Sequence, residues 1–454
     1  MSKKYNFDYI VIGGGPAGDT AALNLAQRTK KRVAVVEEHS FSDNYSSRDI
    51  PYAISLNFAH AFFKYSNCPE TNGQELSYDF PTVVAHQNAI IGSFDAEKKK
   101  LFEKHNITRI EGHAHFLNPH TISVGKVQYS SDYFILATGS QLKTAGISGI
   151  ESVNYLNPIT AVRIRRLPKY VFIIGGGPTG CEIASYYAEL GAKVIIMEKE
   201  ARLLPREEKE TSACITEFFT HKLGVLVVTN AEVVSVEEDN VSKQVIYVVD
   251  KQKKSVRIDN IILATGFEPR TDCDLEKIKI KTKPNGAIAT NKFFQTSVKN
   301  IYAIGDCLGN ESSTERVEYQ ASLLSSNLIK KSKSLPNYHG FARVTNTYPE
   351  IATVGLTEPR LIKLKRKYKK SVVYLKDLPM SKIERFPYGF VKILTDRKNH
   401  IIGATVVAPN AGAMIGELSV VIRHHLTILE ITGTPHATNS YSLAVKLAAK
   451  NLIK

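Results

Sequence analysis

A glycine-rich turn between a short apolar strand and a helix constrains the fold of this chain more than any other feature. The run Tyr9–Ile12 is followed by the turn Gly13–Gly18, by a helical stretch, Thr20–Arg28, and by a second apolar run, Val33–Val36, which ends in Glu37. This order is typical of the β-α-β unit of a Rossmann fold, in which the turn lets the backbone approach a pyrophosphate and the acid holds ribose hydroxyls. The pattern therefore predicts a dinucleotide-binding site.

The same order of elements recurs about 160 residues later. The strand Tyr170–Ile174 leads into the turn Gly175–Gly180, a helix, Cys181–Leu190, and a strand, Lys193–Met197, which ends in Glu198. Two copies predict two dinucleotide-binding domains in an α/β protein. The candidate binding residues are Gly13, Gly15, Gly18 and Glu37 in the first copy and Gly175, Gly177, Gly180 and Glu198 in the second.

The acid of the second copy bears on the choice of nucleotide. Glu198 would accept a hydrogen bond from a ribose 2′-hydroxyl and repel a 2′-phosphate, so it favours NAD over NADP. Lys199 and Arg202 follow closely and leave NADP open as the less favoured alternative.

The chain changes character twice after the second copy. Up to about Thr265 it reads as short strands, such as Val225–Val228 and Val245–Val249. From Leu335 onward, two strand-like runs joined by a polar turn precede a helix, a pattern that indicates a hairpin in a separate α+β domain. These three elements are Phe390–Leu394, Ile401–Val407 and Ala413–His424.

Composition limits the class of protein. Of 454 residues, 43% are hydrophobic and 23% charged, as in soluble globular proteins, and no apolar run approaches the ~18 residues that a membrane span needs. The short N-terminal apolar run enters the first glycine turn, so we expect a strand rather than an export signal, and a cytoplasmic protein. The net charge is +15, but its densest run, Lys363–Lys370, has one aromatic residue and favours a solvated surface over nucleic-acid binding. The five cysteines form no Cys-x-x-Cys pair, which predicts neither a metal site nor a local redox dithiol.

Further segments follow the two glycine turns in a recognisable order. Leu136–Ser140 and Leu263–Gly266 end apolar runs in Ala-Thr-Gly, the run from Ile301 ends in Gly305-Asp306, and Tyr348–Glu358 reads Tyr-Pro-Glu-Ile-Ala-Thr-Val-Gly-Leu-Thr-Glu. With the two turns, these segments make the chain similar, over roughly its whole length, to the pyridine nucleotide-disulfide oxidoreductase family. That family includes dihydrolipoyl dehydrogenase, glutathione reductase and mercuric reductase.

The resemblance implies a domain layout, cofactors and an assembly. We expect an FAD-binding domain over residues 1–150 and 271–335, an NAD-binding domain over 151–270, a dimerisation domain over 336–454, and a homodimer. By the same resemblance Asp306 would bind the ribitol of FAD, and Glu182 would lie near the contact between flavin and nicotinamide. The other cofactor-binding candidates are Ala114, Thr138, Gly139, Gly305 and Gly266.

The chain departs from the family where disulfide chemistry takes place. The family carries two cysteines five positions apart, and here those positions are Asn44 and Asp49, the latter followed by Ile-Pro. The family's catalytic His, which comes from the partner subunit, is retained as His436, but the acid that orients it is replaced by Tyr441. A family Lys at the flavin site is Ala53 here. These changes together predict that thiol chemistry is lost while FAD and NAD binding remain.

The sequence leaves three functions open. The first is an enzyme that passes electrons from NADH through the flavin to a non-disulfide acceptor such as a quinone, with Asp49 and His436 supplying protons. The second is a soluble transhydrogenase, and the third is a flavoprotein that binds partners without catalysis. A packed interface role for His436, and a solvated or Arg48-paired Asp49, are the alternatives to proton supply.

Overall fold

The computed structural model describes residues 5–38, 49–68, 77–144, 146–238, 242–309 and 313–453, with no side-chain description at positions 49 and 50. Asn44 therefore lies outside the described residues. The helices are α1 (Pro16–Arg28), α2 (Asp49–Ser66), α3 (Phe80–Lys104), α4 (Pro158–Ala161), α5 (Pro178–Glu189), α6 (Lys209–His221), α7 (Thr314–Lys330), α8 (Glu358–Lys363), α9 (Pro379–Ile383), α10 (Ala411–Arg423), α11 (Ile428–Gly433) and α12 (Leu443–Lys450).

Strands alternate with these helices along the chain. In order they are β1 (Phe7–Ile12), β2 (Val33–Glu37), β3 (Thr108–Glu111), β4 (Ala114–Asn118), β5 (Thr121–Val124), β6 (Val127–Leu136), β7 (Ser140–Leu142), β8 (Tyr170–Ile174), β9 (Lys193–Met197), β10 (Leu226–Val228), β11 (Ala231–Glu238), β12 (Lys243–Val249), β13 (Gln252–Ile258), β14 (Asn260–Leu263), β15 (Phe267–Pro269), β16 (Ile301–Ala303), β17 (Ala342–Thr345), β18 (Glu350–Gly355), β19 (Lys369–Tyr374), β20 (Phe390–Thr395) and β21 (Ile401–Ala408).

The first of two compact units comprises Met1–Tyr52, Pro81–Lys143 and Phe267–Asn337. Its main sheet has the order β3-β2-β1-β6-β5-β4, with β16 paired to β6. Strands β3, β2, β1, β6 and β16 run parallel, whereas β4, β5 and β6 form an antiparallel meander. The parallel strands are continuous apolar runs because both of their faces are buried, and β1 has four fully buried positions in succession.

The second unit comprises Ala53–Phe80, Thr144–Gly266 and Tyr338–Lys454. It contains a parallel sheet of order β10-β9-β8-β14, an antiparallel sheet of order β11-β12-β13 and a five-stranded antiparallel sheet of order β17-β18-β21-β20-β19. Helices α10 and α12 supply apolar side chains, including Leu418 and Ala448, to the core beneath the five-stranded sheet. The parallel sheet carries the second glycine turn.

The structure confirms the predicted α/β class, and most predicted elements lie within a few residues of their expected bounds. The stretch between Glu198 and Thr265 is the exception, because α6 interrupts the expected strands. Its 13 residues bury one face (Ile215, Phe218 and Phe219), and this apolar stripe is set among charged and hydroxyl residues. Helices α2 and α3 were also not predicted. Among the described residues, we find no helix with the length and apolar character that crossing a bilayer requires.

A buried lysine joins distant parts of the second unit. Lys392 on β20 has a fully buried side chain, and its Nζ lies 3.0 Å from Glu208, 3.0 Å from Glu210 and 2.5 Å from Glu358. The three carboxylates offer oxygens within 4.8 Å of one another, a spacing that suits a cation, and the Lys392 ammonium provides that cation. Because an unpaired buried charge is costly, removing the lysine would leave the buried Glu208 carboxylate uncompensated, whereas Glu358 would keep its pair with Lys370.

Substituting this lysine should destabilise the second unit. We expect Lys392→Met to lower the free energy of unfolding by about 3–5 kcal/mol, since it leaves the buried Glu208 carboxylate without its cationic partner. The matched control is Lys369→Met, because Lys369 is exposed and donates to Asn399, and a surface change of this kind stays within about 0.5 kcal/mol. Urea unfolding monitored by circular dichroism measures both variants, and equal losses would contradict the assignment.

The same network gives the unfolding free energy a defined pH dependence. Partial burial alone would raise the pKa of Glu358, but hydrogen bonds from Lys370, Lys392 and Tyr368 outweigh it and lower the pKa to about 2. Because this pKa is depressed in the folded state, the contribution is present above the ordinary value of 4.5 and is lost as the pH falls towards 2. The acid-induced loss of stability should therefore be smaller in Lys392→Met than in the native protein.

Candidate cofactor and electron-transfer site

The first glycine turn forms a cradle at the N-terminus of α1. Gly13 has a φ of +107°, and a Cβ there would come within 2.2 Å of the Ala137 carbonyl oxygen. A Cβ on Gly18 would come within 1.9 Å of the Gly13 oxygen, whereas a Cβ on Gly15 would meet nothing within 4 Å. The turn therefore has no room for a side chain at Gly13 or Gly18, whereas Gly15 faces open space. An open backbone at a helix N-terminus fits a pyrophosphate.

The acid predicted to hold ribose hydroxyls lies beside this turn. Glu37 ends β2, and its Oε2 accepts a hydrogen bond of 2.5 Å from the Gly14 N–H. Lys98 on α3, which sequence reasoning missed, donates to the Gly14 carbonyl at 3.0 Å and pairs with Asp19 at 2.6 Å. Burial raises the pKa of Asp19 to about 7, although Lys98 opposes the rise. No motif marks Lys98, which lies 84 residues after Gly14.

The second glycine turn repeats the geometry at the N-terminus of α5. Gly175 has a φ of +111° and closes on the Ala264 carbonyl, a Cβ on Gly180 would come within 1.9 Å of the Gly175 oxygen, and a Cβ on Gly177 would meet nothing within 4 Å. Glu198, buried at 7% exposure, accepts from the Gly176 N–H at 2.7 Å. The second unit therefore has its own dinucleotide cradle.

The arginine that could have served a 2′-phosphate is engaged elsewhere. The guanidinium of Arg202 donates to the main-chain oxygens of Leu204, Pro205, Glu207 and Glu208 at 2.7–3.3 Å. It also donates to the Ser212 hydroxyl. Arg202 thus holds the loop that leads into α6.

The carboxyl edge of each parallel sheet gathers most of the other predicted residues. In the first unit Thr138 and Gly139 follow β6, and Gly305 and Asp306 follow β16, which is paired to β6. The Ser140 hydroxyl donates to Asp306 at 3.0 Å. Open α/β sheets bind ligands at this edge, so the placement fits a second contact with the same dinucleotide.

Two predicted residues have a different setting. Ala114 begins β4 with its side chain buried at 4% exposure, so any contact with a cofactor would use its main chain. Gly266 follows β14 with a φ of +94°, and a Cβ there would meet nothing within 4 Å. It therefore lies at the same edge of the second parallel sheet as Gly175.

The setting of the cysteines bears on thiol chemistry. No disulfide joins any of the five, all of which lie in the described part of the chain, and Cys181, Cys273 and Cys307 are buried. Burial raises the pKa of Cys214, Cys273 and Cys307 to about 12, which disfavours the thiolate that disulfide exchange requires. Asp49 begins α2, and its side chain lies outside the described residues.

His436 has a carboxylate partner that the sequence did not reveal. Its Nε2 lies 3.1 Å from Glu417 Oε2 on α10, and its Nδ1 lies 3.0 Å from the Thr434 carbonyl oxygen. The His436 side chain is only 4% exposed. The inference that His436 lacks an orienting acid, drawn from Tyr441, was therefore wrong. Tyr441 instead donates to Glu384 at 3.3 Å.

Glu182 is half-buried on α5 and has a defined partner. Its Oε1 accepts two hydrogen bonds from Asn346, at 2.7 Å from the main-chain N–H and at 3.2 Å from the side-chain amide. The carboxylate is thus held in one orientation and is not a freely solvated helix residue.

Two nucleotide cradles on parallel sheets, followed by a dimerisation-type domain, define a two-dinucleotide flavoprotein. Residues 7–323 match the family model of the pyridine nucleotide-disulphide oxidoreductases, and residues 341–449 match the dimerisation domain of the same family. The chain belongs to the pyridine nucleotide-disulphide oxidoreductase family. Its cofactors are accordingly FAD and NAD(P)H, which the two cradles fit.

Relatives with several activities resemble this chain over nearly its full length. A mercuric reductase of Staphylococcus aureus is 28% identical over 98% of this chain and 82% of its own length. A dihydrolipoyl dehydrogenase of Buchnera aphidicola is 28% identical over 99% and 96%. A soluble pyridine nucleotide transhydrogenase of Colwellia psychrerythraea is 28% identical over 91% and 90%.

The solved structures agree on the fold. The HOCl-induced flavoprotein disulfide reductase of Escherichia coli superposes with a TM-score of 0.87 at 22% identity, covering 98% of this chain and 100% of that chain. At this identity the likeness shows the fold alone.

Replacing either open glycine, Gly15 or Gly177, with alanine should leave the fold intact but weaken cofactor binding. We expect Gly177→Ala to raise the KM for NADH about tenfold or more with FAD content unchanged, since the methyl group fills space that the pyrophosphate needs. Gly15→Ala should instead lower the FAD content of the purified protein. Flavin absorbance and steady-state kinetics measure the two effects.

The control is Gly92→Ala in α3, where a Cβ also meets nothing within 4 Å. It should leave both FAD content and the KM for NADH unchanged. Normal NADH binding by Gly177→Ala would contradict the second cradle.

Proposed function

We propose that this protein is a homodimeric FAD-dependent oxidoreductase that passes electrons from NADH to a non-disulfide acceptor, such as a quinone. The observation that carries the proposal is a contrast within one chain. Both cofactor cradles are intact, whereas Asn44 and Asp49 occupy the positions of the family's cysteine pair. The three thiols of Cys214, Cys273 and Cys307, with their pKa values raised by burial, are poorly suited to replace that pair.

The bound flavin would supply two-electron chemistry, accepting a hydride from the nicotinamide and passing electrons on. The residues of this chain bind and orient the cofactors. Gly15 and Gly177 leave room for the two pyrophosphates, while Glu37 and Glu198 each lie beside a glycine turn as acceptors for ribose hydroxyls.

The preference for NADH over NADPH rests on the second cradle. The Glu198 carboxylate would repel a 2′-phosphate, and the Arg202 guanidinium already donates to four main-chain oxygens. Neither side chain therefore favours a phosphate at that position.

Proton supply is assigned to Asp49 and His436 of the two subunits. A carboxylate cannot form the adduct or relay the electrons that a thiolate can, but it can exchange protons with an organic acceptor. The contact of Nε2 with Glu417 orients the imidazole of His436, and proton exchange at Nδ1 requires that this nitrogen leave the Thr434 carbonyl oxygen. Glu417 would then act in place of the acid lost at Tyr441.

A soluble transhydrogenase is the second candidate. The relative in Colwellia psychrerythraea bears that name and matches 91% of this chain. A transhydrogenase uses one nicotinamide site for both nucleotides and needs no dithiol. The Glu198 carboxylate weighs against it, since NADP must also bind there. A flavoprotein that binds partners without catalysis is the remaining alternative.

Anaerobic stopped-flow of the FAD-loaded protein separates these functions. We expect NADH to bleach the flavin rapidly, and quinones but not lipoamide or oxidised glutathione to restore its colour, because no dithiol is available at positions 44 and 49. Restoration by NADP would favour the transhydrogenase, and absence of any bleaching would favour the binding protein. Restoration by a disulfide would contradict the proposal.

The proton assignment predicts a change in the pH–rate profile. We expect Asp49→Asn and His436→Asn each to remove one limb from the profile of acceptor reduction, and to slow the reaction by about 10²–10⁴-fold, the usual contribution of a positioned acid or base. Glu417→Gln should shift the His436 limb without abolishing it.

The matched control is His400→Asn. His400 also pairs with a carboxylate, Asp396, at 3.1 Å, but 36% of its side chain is exposed. This variant should leave the profile unchanged. If neither Asp49→Asn nor His436→Asn alters the profile, the proton assignment fails while the acceptor class stands on the first experiment.

A further inference from the structure

A series of hydrogen bonds connects Glu182 to a loop and to a second helix in the second unit. Glu182 Oε1 accepts from the main-chain N–H of Asn346 at 2.7 Å and from its amide Nδ2 at 3.2 Å. The Asn346 carbonyl lies 3.3 Å from His60 Nε2. Asn346 therefore connects two helices: its N–H groups donate to Glu182 on α5, and its carbonyl oxygen contacts His60 on α2.

The other end of this set is anchored by a buried ion pair. His60 Nδ1 lies 2.5 Å from Glu189 Oε2, and the Glu189 side chain is fully buried. The Ser185 hydroxyl donates to the second oxygen of Glu189 and accepts from the Tyr348 N–H at 3.1 Å. The loop that contains Asn346 is thus held at one further point, the main-chain N–H of Tyr348.

Helix geometry explains why these contacts act together. Glu182, Ser185 and Glu189 are separated by three and four positions on α5, so they share one face of the helix. That face meets residues 346–348 of the loop between β17 and β18. At the buried end of this face, Ser185 accepts a hydrogen bond from the loop. At the other end, Asn346 of the loop donates to the half-buried Glu182.

The pKa of His60 is raised within this pair, while burial raises the pKa of Glu189, although hydrogen bonds from His60 and Ser185 oppose that rise. Burial by itself would lower the pKa of His60, but the hydrogen bond to Glu189 outweighs it, and the nearby Glu350 acts in the same direction, so the pKa is raised. A charged His60 donates to Glu189 and to the Asn346 carbonyl at once. Removing one partner of a buried pair is strongly destabilising, so the His60–Glu189 contact fixes the position of the His60 ring against the loop.

We propose that Asn346 is a positioning residue, which the His60–Glu189 pair holds in place so that its amide orients the Glu182 carboxylate near the start of α5, beside the second glycine turn. This inference rests on the proposed function, because it takes Glu182 to act on the nicotinamide that the second cradle would bind. Asn346 carries no recognisable motif, and its part follows from the contacts alone.

The test uses an isosteric change that alters one donor. In Asn346→Asp the side chain repels Glu182 when it is ionised and donates to it when it is protonated. We expect the rate of flavin reduction by NADH to fall about tenfold at pH 8, the effect of losing a hydrogen bond to a charged group, and to return towards the native rate as the pH falls to 5. Asn346→Ala, which keeps the main-chain N–H but has no side-chain donor at any pH, should be slow throughout.

A second measurement does not depend on turnover. Carbon-13 NMR of the FAD-loaded protein with labelled glutamate follows the Glu182 carboxyl, which Glu182→Gln identifies. The new neighbouring charge in Asn346→Asp should raise the titration midpoint of this carboxyl by about one pH unit. The matched control is Asn67→Asp, because the Asn67 amide donates to the Phe63 carbonyl on an exposed part of α2; it should change neither measurement.

The outcomes separate this inference from the proposed function. If NADH reduces the native flavin but Asn346→Asp and Asn346→Ala match the native rate at every pH, the positioning role is overturned and the proposed function stands. If the two variants lose rate equally at all pH values and the Glu182 midpoint does not move, the contact is structural only, which also overturns it. Failure of the native flavin to be reduced removes the proposed function itself.

Discussion

The close approach of two backbones within each glycine turn is the constraint on which the cofactor sites depend. In both turns a Cβ on the last glycine would lie 1.9 Å from the carbonyl oxygen of the first, so the helix can begin directly after the strand only if a side chain is absent there. That approach places the helix N-terminus at the carboxyl edge of the sheet. Glu37 at the end of β2, Glu198 directly after β9, and the segments after β6 and β16 reach these edges because the strands within each sheet are parallel.

The sequence predicted these features because they repeat a local pattern. Gly13–Gly18 and Gly175–Gly180 each combine a strand, a turn and a helix within about 25 residues, so spacing alone identifies them. Helix α6 was missed because its apolar stripe is interrupted by threonine, serine and glutamate at neighbouring positions. Lys98, Glu417 and Asn346 were missed for a different reason: each meets its partner across 19 to 164 residues of chain, and no local pattern encodes such contacts.

The chain retains some parts of the family's site and differs from the family in others. The cradles retain every glycine that the geometry demands, whereas Asn44, Asp49, Ala53 and Tyr441 differ from the family's disulfide-reducing machinery. Tyr441 replaces the acid that orients the histidine in the family, yet His436 still has a carboxylate partner, because Glu417 of α10 contacts its ring. Comparison by aligned position alone would have missed it.

The ion pairs of Lys392 connect the C-terminal domain to the nucleotide-binding part of the chain. Lys392 belongs to the dimerisation-type domain, yet two of its three carboxylate partners, Glu208 and Glu210, flank the start of a helix in the nucleotide-binding part of the chain. A fragment that began near residue 338 would keep the ammonium and lose two of the anions that neutralise it. The C-terminal domain is therefore not a portable module: grafted onto another protein, it would leave the Lys392 ammonium with Glu358 alone, a carboxylate that also pairs with Lys370.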